Sequence, residues 1–141
     1  LLAGNGPLKK QVKAEAKKRG LEHRIIFLSE TNKPEKLYSA MDVFVMPSRH
    51  EGFGLAALEA QISGLPCILS NNFPKQIKIN QNVKFVSTLD NDIEKWLKAI
   101  QDTIVQPRKA NVEVFLDYDT KNCAKKLFIV YRKLMTKGHH E

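Results

Sequence analysis

Two short apolar runs on either side of a helix-length segment constrain this chain more than any other feature. Val43-Phe44-Val45-Met46 stops at Pro47, and Cys67-Ile68-Leu69 lies beyond Gly64 and Pro66. Short apolar runs bounded by turn residues read as buried strands. Between them Leu55, Leu58 and Ile62 fall on one face of a helix, which Gly64 and Pro66 end. Strand, helix and strand in this order make a βαβ unit, hence a parallel sheet in an α/β fold, because parallel neighbours need a crossover. In such sheets ligands sit beyond the carboxyl ends of the strands, which here means Ser48 to Gly54.

That turn has a chemistry of its own. It reads Glu51-Gly52-Phe53-Gly54-Leu55. Lacking a Cβ, Gly52 and Gly54 let backbone N–H groups come close to a ligand. The unpaired N–H groups and dipole of a helix start favour an anion such as phosphate. Glu51 stands just before those donors and Glu59 inside the helix, so two carboxylates bracket the turn at two levels. This suits a ligand with hydroxyls at both ends and a phosphate between them, and a nucleotide sugar is such a ligand. Each acid also has a plainer reading: Glu51 as a helix N-terminal acid favoured by the dipole, Glu59 as a surface residue. His50 reads as a general base, a sugar contact or a surface side chain. Arg49 reads as a phosphate partner or an exposed loop arginine.

Glu51, Gly52-Phe53-Gly54, Glu59 and Ser63-Gly64-Leu65-Pro66 together resemble the donor-site signature of the group-1 retaining glycosyltransferases of the GT-B fold. Leu1 to Pro7 matches that family's strand-to-glycine turn, and Arg24 to Leu28 the strand near its base pocket, so the resemblance spans nearly the whole chain. Glu59-Ala60-Gln61 followed by Ser63 to Cys67 is nearest to bacterial capsule and exopolysaccharide enzymes. The resemblance implies a Rossmann-like parallel sheet with helices on both faces. It implies a single partial domain over residues 1–141, the C-terminal, donor-binding half of a GT-B fold truncated at its N-terminus, with the acceptor domain absent. It implies an enzyme that transfers a hexose from a UDP-sugar or GDP-sugar to a lipid-linked or polysaccharide acceptor, the piece alone being inactive.

The resemblance also implies roles. Glu51 is the catalytic residue, against the donor sugar near the reacting face. Gly52, Phe53, Gly54 and Leu55 offer N–H groups to sugar hydroxyls and phosphate, and Glu59 accepts from the two ribose hydroxyls. Gly4 and Gly6 let the chain pass near the donor, where the plain reading is a tight turn. Ser29 occupies a position where the family has a glycine that helps seat the base. Arg49 and His50 adjoin the donor. The family keeps no histidine at His50 and passes the acceptor proton toward the donor phosphate, which counts against His50 as base. The family's diphosphate-clamping Arg and Lys would precede Leu1. No metal or other cofactor is expected.

Elsewhere Pro7 suits a first helical position, and the helix expected from there to Arg19 turns Leu8, Val12 and Ala16 inward, with Gly20 as its cap. Ile25 to Leu28 is the next strand. Thr31 or Asn32 caps a short helix begun near Pro34, with Leu37, Tyr38 and Met41 buried and Tyr38 read as core. Val83 to Val86 reads as a strand at a sheet edge. Asn91 and Glu94 form a capping box for a helix with Ile93, Leu97, Ile100 and Ile104 in one stripe and Trp96 beside it. Asn111 to Asp119 connects to a last helix from Thr120, with Ala124, Leu127, Tyr131 and Leu134 inward. In the family that helix leans on the acceptor domain, so exposed apolar surface is expected here. The tail's His139-His140 pair is too short for a metal site.

With 141 residues, 43% hydrophobic and 27% charged, the chain has the size and make-up of about one soluble domain. No apolar run is long enough to span a membrane, and no signal-peptide pattern is present. Leu1 stands inside a predicted buried strand, so a piece of a longer protein is expected. Cys67 and Cys123 are too few for a disulfide framework or zinc cluster and read as two buried reduced thiols, fitting a cytoplasmic protein. The net charge of +8 reads either as solvated helix faces or as attraction to the anionic inner face of the cell membrane. No aromatic-interleaved basic stripe points to nucleic acid. Besides the enzyme, a non-catalytic nucleotide-sugar-binding module and a membrane-surface adaptor remain as readings.

Overall fold

Every strand pairing in the computed structural model is parallel. The structure describes residues 1–29, 31–89, 92–109, 116 and 118–137. It divides into two compact units, Leu1–Pro34 and Glu35–Glu141.

In the first unit β1 (Leu2–Ala3) pairs with β2 (Phe27–Leu28), and α1 (Lys9–Lys18) connects them. Gly20, at φ +66°, closes α1: its N–H bonds to Lys17 O, and Leu21 N–H bonds to Ala16 O. That is a Schellman motif, which satisfies carbonyls a helix end otherwise leaves bare. Glu22–Arg24 form a 3-10 turn, so the second strand begins at Phe27 and not at Ile25. Two expectations of burial fail here. Leu2 is 47% exposed, so Leu1 to Ala3 is not a buried strand, and of Leu8, Val12 and Ala16 only Ala16 is buried. Two strands of two residues and one helix of ten have too little surface to enclose several large side chains.

The second unit holds α2 (Pro34–Ser39, its first residue at the division), β3 (Phe44–Met46), α3 (Leu55–Ile62), β4 (Cys67–Ser70), β5 (Val83–Val86), α4 (Ile93–Ile104) and α5 (Thr120–Lys137). Strand order is β3-β4-β5, with Val45 opposite Ile68 and Ile68 opposite Lys84. The βαβ unit and the edge position of β5 are therefore as the sequence predicts. β4 is wholly buried, and its alternation sorts two cores. Cys67 and Leu69 pack with Ala57, Leu58, Ala60 and Phe73, whereas Ile68 packs with Val86, Ala99, Trp96 and Ile100. Helices thus cover both faces of this sheet. β3, which among the described residues pairs with β4 alone, is half-buried and not buried as expected; its Val45 is 39% exposed.

The helices bury other faces than their largest side chains suggest. α3 buries Ala57, Leu58, Ala60 and Gln61, while Leu55 and Ile62 lie outside. Alanines let the helix axis approach the sheet. Gln61 fills the space at its far end, donating to Ala57 O and Ile77 O and accepting from the N–H groups of Ile79 and Asn80. These bonds satisfy a fully buried amide. Leu65 N–H to Ala60 O and Gly64 N–H to Gln61 O end the helix in a second Schellman motif. α4 likewise buries Ala99 and Thr103, while Ile93, Leu97 and Ile104 are exposed. Its Trp96 is half-buried, with the indole N–H on Ser87 O at 2.7 Å.

The expected cap Asn91 lies outside the described residues; Asp92 precedes α4 and pairs with Lys95 at 2.5 Å. α5 starts at Thr120 as predicted, with Asp119 Oδ1 accepting from the N–H groups of Lys121 and Asn122. Its expected inward residues Ala124, Leu127, Tyr131 and Leu134 are exposed. An apolar stripe specifies a face in need of a partner, and among the described residues that face stays open. Cys67 is buried, but Cys123 is exposed, against the expectation of two buried thiols. Most of the stretch at 111–119, and the tail with His139 and His140, lie outside the described residues.

Candidate functional site

The chain leaving β3 is tied to the carboxyl ends of its neighbours. Ser70 Oγ donates to Ser48 O at 2.6 Å, and Asn72 Nδ2 donates to Ser48 O and to Thr88 Oγ1, each at 3.2 Å. The segment from Ser48 therefore crosses the carboxyl edge of the sheet, as the sequence predicts. Gly54 then takes φ +87° and ψ +58° and begins α3. A Cβ at Gly54 would lie 2.3 Å from Phe73 Cε1 and 2.9 Å from Cδ1, so the buried Phe73 ring closes the underside of the turn. Gly52 has no such constraint: no atom comes within 4 Å of a Cβ built there.

Gly54 O accepts from both Ala57 and Leu58 N–H. Among the described residues the N–H groups of Gly52, Phe53, Gly54, Leu55 and Ala56 meet no acceptor. Gly52, Phe53 and Leu55 are exposed. The turn thus presents consecutive free donors at a helix start, a setting that favours an anion.

The two acids lie at the two ends of this arrangement. Glu51 Cγ is 3.5 Å from the Cβ position of Gly54, so its side chain runs beside the turn. Glu59 is exposed on α3, and its Oε2 accepts the Tyr38 O–H at 2.9 Å. Tyr38 is buried, edge-on to Phe44 with ring centroids 6.0 Å apart. Burial first, then the bond to Glu59 and its negative charge, push the Tyr38 hydroxyl well above the usual phenol range. At neutral pH it is a fixed donor. His50 is exposed beside Glu51. Arg49 lines a different feature, a groove of about 420 Å³ with Val45, Trp96, Leu97 and Ile100; Gly52 to Gly54 do not border it.

In the first unit, Gly4, Gly6 and Ser29 stand at the carboxyl ends of β1 and β2. Gly4 N–H bonds to Leu28 O at 3.1 Å, and Gly4 has φ +148°. Both glycines border a cavity of about 380 Å³ shared with Leu2, Val12, Phe27 and Lys9. Lys9 Nζ donates to Ser29 Oγ at 3.3 Å and Asn5 Oδ1 at 3.4 Å.

Sequence reasoning missed three residues here. The sequence does not single out Lys9 or Phe73, and it marks Tyr38 as core without naming a partner for its hydroxyl. The signal for Tyr38 was available, because a buried tyrosine hydroxyl needs a partner. No group of three or more His, Cys, Asp or Glu is placed to hold a metal among the described residues. The chain does contain two Asp-x-Asp triplets, Asp90-Asn91-Asp92 and Asp117-Tyr118-Asp119. Asp90 and Asp117 lie outside the described residues, Asp92 pairs with Lys95, and Asp119 caps α5. No helix among the described residues is long and apolar enough to cross a membrane.

Known proteins share the sequence pattern and the fold of this chain. Residues 1–112 match the family described as glycosyl transferases group 1. The chain is 30% identical over 145 residues to a Bacillus subtilis (strain 168) protein that carries the name glycosyltransferase EpsF, covering 99% of this chain and 38% of that protein. It is 33% identical over 129 residues to an Escherichia coli UDP-Gal:alpha-D-GlcNAc-diphosphoundecaprenol alpha-1,3-galactosyltransferase, covering 90% of this chain and 31% of that one. The chain thus spans about a third of the length of these relatives. In structure it resembles the apo lipopolysaccharide outer core galactosyltransferase WaaB, with a TM-score of 0.68 and 21% identity, covering 89% of this chain and 39% of the other. The fold is that of the GT-B glycosyltransferases. With residues 1–112 matching its model, the chain belongs to the glycosyl transferases group 1 family.

Proposed function

We propose that this chain is the nucleotide-sugar-binding part of a retaining hexosyltransferase. The observation that carries this reading is the run of unpaired amides opening α3 at Gly54, with Glu51 beside it and Glu59 further along the helix. The donor diphosphate rests on the N–H groups of Gly52 to Leu55, where the helix dipole offsets its charge. Glu59 accepts from the ribose hydroxyls. Glu51 lies against the sugar, with His50 adjoining. In the transfer, the bond between the anomeric carbon and the diphosphate breaks and a bond to the acceptor oxygen forms on the same face. The acceptor proton passes to the departing phosphate, so no histidine base is required. The donor is a UDP-sugar or GDP-sugar; the galactosyltransferase relative is named for UDP-Gal. No metal takes part.

An acceptor domain elsewhere in a longer protein completes the cleft, and the chain alone binds donor without turnover. The acceptor is a lipid-linked or polysaccharide chain at the cytoplasmic face of the cell membrane. The net charge of +8 supports peripheral contact with that anionic surface. Calorimetry with UDP-hexoses and GDP-hexoses tests the reading: the wild type binds one class, and Glu51→Ala binds it at least about tenfold more weakly. Binding to anionic vesicles with no binding of any nucleotide sugar would favour the membrane adaptor. Donor binding without transfer or donor hydrolysis by the full-length protein would favour a non-catalytic module.

A further inference from the structure

We infer that Tyr38 is a positioning residue for Glu59: its hydroxyl pins one carboxylate oxygen so that the other is presented to the donor ribose, and this sets a preference for ribose over deoxyribose. The inference rests on the reading of Glu59 as the ribose acceptor. An exposed glutamate on a helix samples several side-chain rotamers, and each one carries its carboxylate elsewhere. Glu59 is held by one bond, from Tyr38 O–H to Oε2 at 2.9 Å, while Oε1 meets no donor among the described residues.

The anchor itself is fixed. The Tyr38 ring is buried and stands edge-on to Phe44. The backbone end is fixed by Arg108, whose guanidinium donates to Tyr38 O at 2.9 Å, to Ser39 O at 3.1 Å and to Met41 O. Being buried, Tyr38 acts through the carboxylate and not on the ligand. A carboxylate with one oxygen occupied and one open, on a rigid support, is suited to accept from a sugar hydroxyl with little further ordering.

The test is calorimetry of UDP and 2′-deoxy-UDP (or the guanine pair, if the protein takes GDP) on the full-length protein carrying this chain. Wild type, Tyr38→Phe, Glu59→Gln and Arg108→Ala are compared. Wild type is expected to favour the ribonucleotide by roughly tenfold. Glu59→Gln lowers the preference to about twofold or less, because it forfeits the acceptor's charge and, with its carbonyl oxygen taken by the Tyr38 O–H, turns only its NH2 toward the ribose. Tyr38→Phe keeps the ring and its contact with Phe44; it weakens UDP and leaves 2′-deoxy-UDP nearly unchanged, so the preference falls to about twofold or less. Arg108→Ala slackens the same tyrosine without touching its hydroxyl and shifts the preference in the same sense. A purely structural tyrosine would weaken both nucleotides equally, and that result overturns the inference. So does an unchanged preference in Tyr38→Phe and Arg108→Ala while Glu59→Gln loses it, and the ribose reading then stands. If wild type shows no preference, or binds neither nucleotide, the ribose reading falls and the inference falls with it.

Discussion

Replacing Gly54 by alanine tests the turn on which the site is built. Two effects of the substitution add. The residue holds φ +87° and ψ +58°, and an L-residue in that left-handed region costs about 1–2 kcal/mol. The new methyl would also stand 2.3 Å from Phe73 Cε1 and 2.9 Å from Cδ1. Phe73 is 2% exposed and belongs to the larger core cluster, so its ring can move only by repacking that core. Overpacking of this kind costs about 1–3 kcal/mol. Alanine restricts the unfolded chain more than glycine does, which returns about 0.4–1 kcal/mol. The expected net loss is about 1–5 kcal/mol, read by urea denaturation with an unchanged m-value. The clash can be isolated in a second background. Phe73→Ala alone costs about 3–5 kcal/mol, and the double variant should cost less than the sum by about 1–3 kcal/mol, because the methyl enters vacated space. A Gly54→Ala protein within about 0.5 kcal/mol of wild type, or strict additivity with Phe73→Ala, would refute the geometry of the turn.

Three further predictions concern the rest of the molecule. Gln61→Leu keeps the volume but strands the N–H groups of Ile79 and Asn80 and the carbonyl of Ile77; urea denaturation should report a loss of about 3 kcal/mol or more. Burial pushes the Cys67 thiol up from 9.0 to about 12, so the unfolded state loses its proton first as pH rises. Stability is then full below about pH 9 and falls by up to about 1.4 kcal/mol per pH unit above it, until the folded thiol titrates. Cys67→Ala should flatten that alkaline slope, leaving the contribution of Tyr38, which has the same sign and begins at higher pH. His50→Ala in the full-length protein should change kcat by less than about threefold, because a histidine base is absent from the proposed transfer; a loss of about a hundredfold or more would mark it as the base.

Much of the second unit was legible in the sequence because its signals are local. The run at Val43 to Met46, the Gly64 stop and Cys67 to Leu69 specify a parallel βαβ unit whichever way the helix is rotated. The rotation itself was not legible. Leu55, Leu58 and Ile62 outline an apolar stripe, yet of these only Leu58 is buried, alongside Ala57, Ala60 and Gln61, because close approach favours small side chains and a polar one can be buried when four bonds meet it. The same error recurs in α4, where Ala99 and Thr103 are inside and Ile93 and Leu97 outside. Of the candidate site, the glycine turn and its position on the sheet edge could be read directly. The support beneath could not: Phe73 under Gly54 and Tyr38 beside Glu59 are contacts between segments far apart in sequence, and no local period encodes them.

The most direct test of the account is a crystal structure of the protein soaked with UDP, with GDP as the parallel soak. The predicted result is a diphosphate on the amides of Gly52 to Leu55, with the ribose hydroxyls on the Glu59 carboxylate and that carboxylate still bonded to Tyr38. A nucleotide bound with its phosphates away from this turn, or with its ribose out of reach of Glu59, would contradict it.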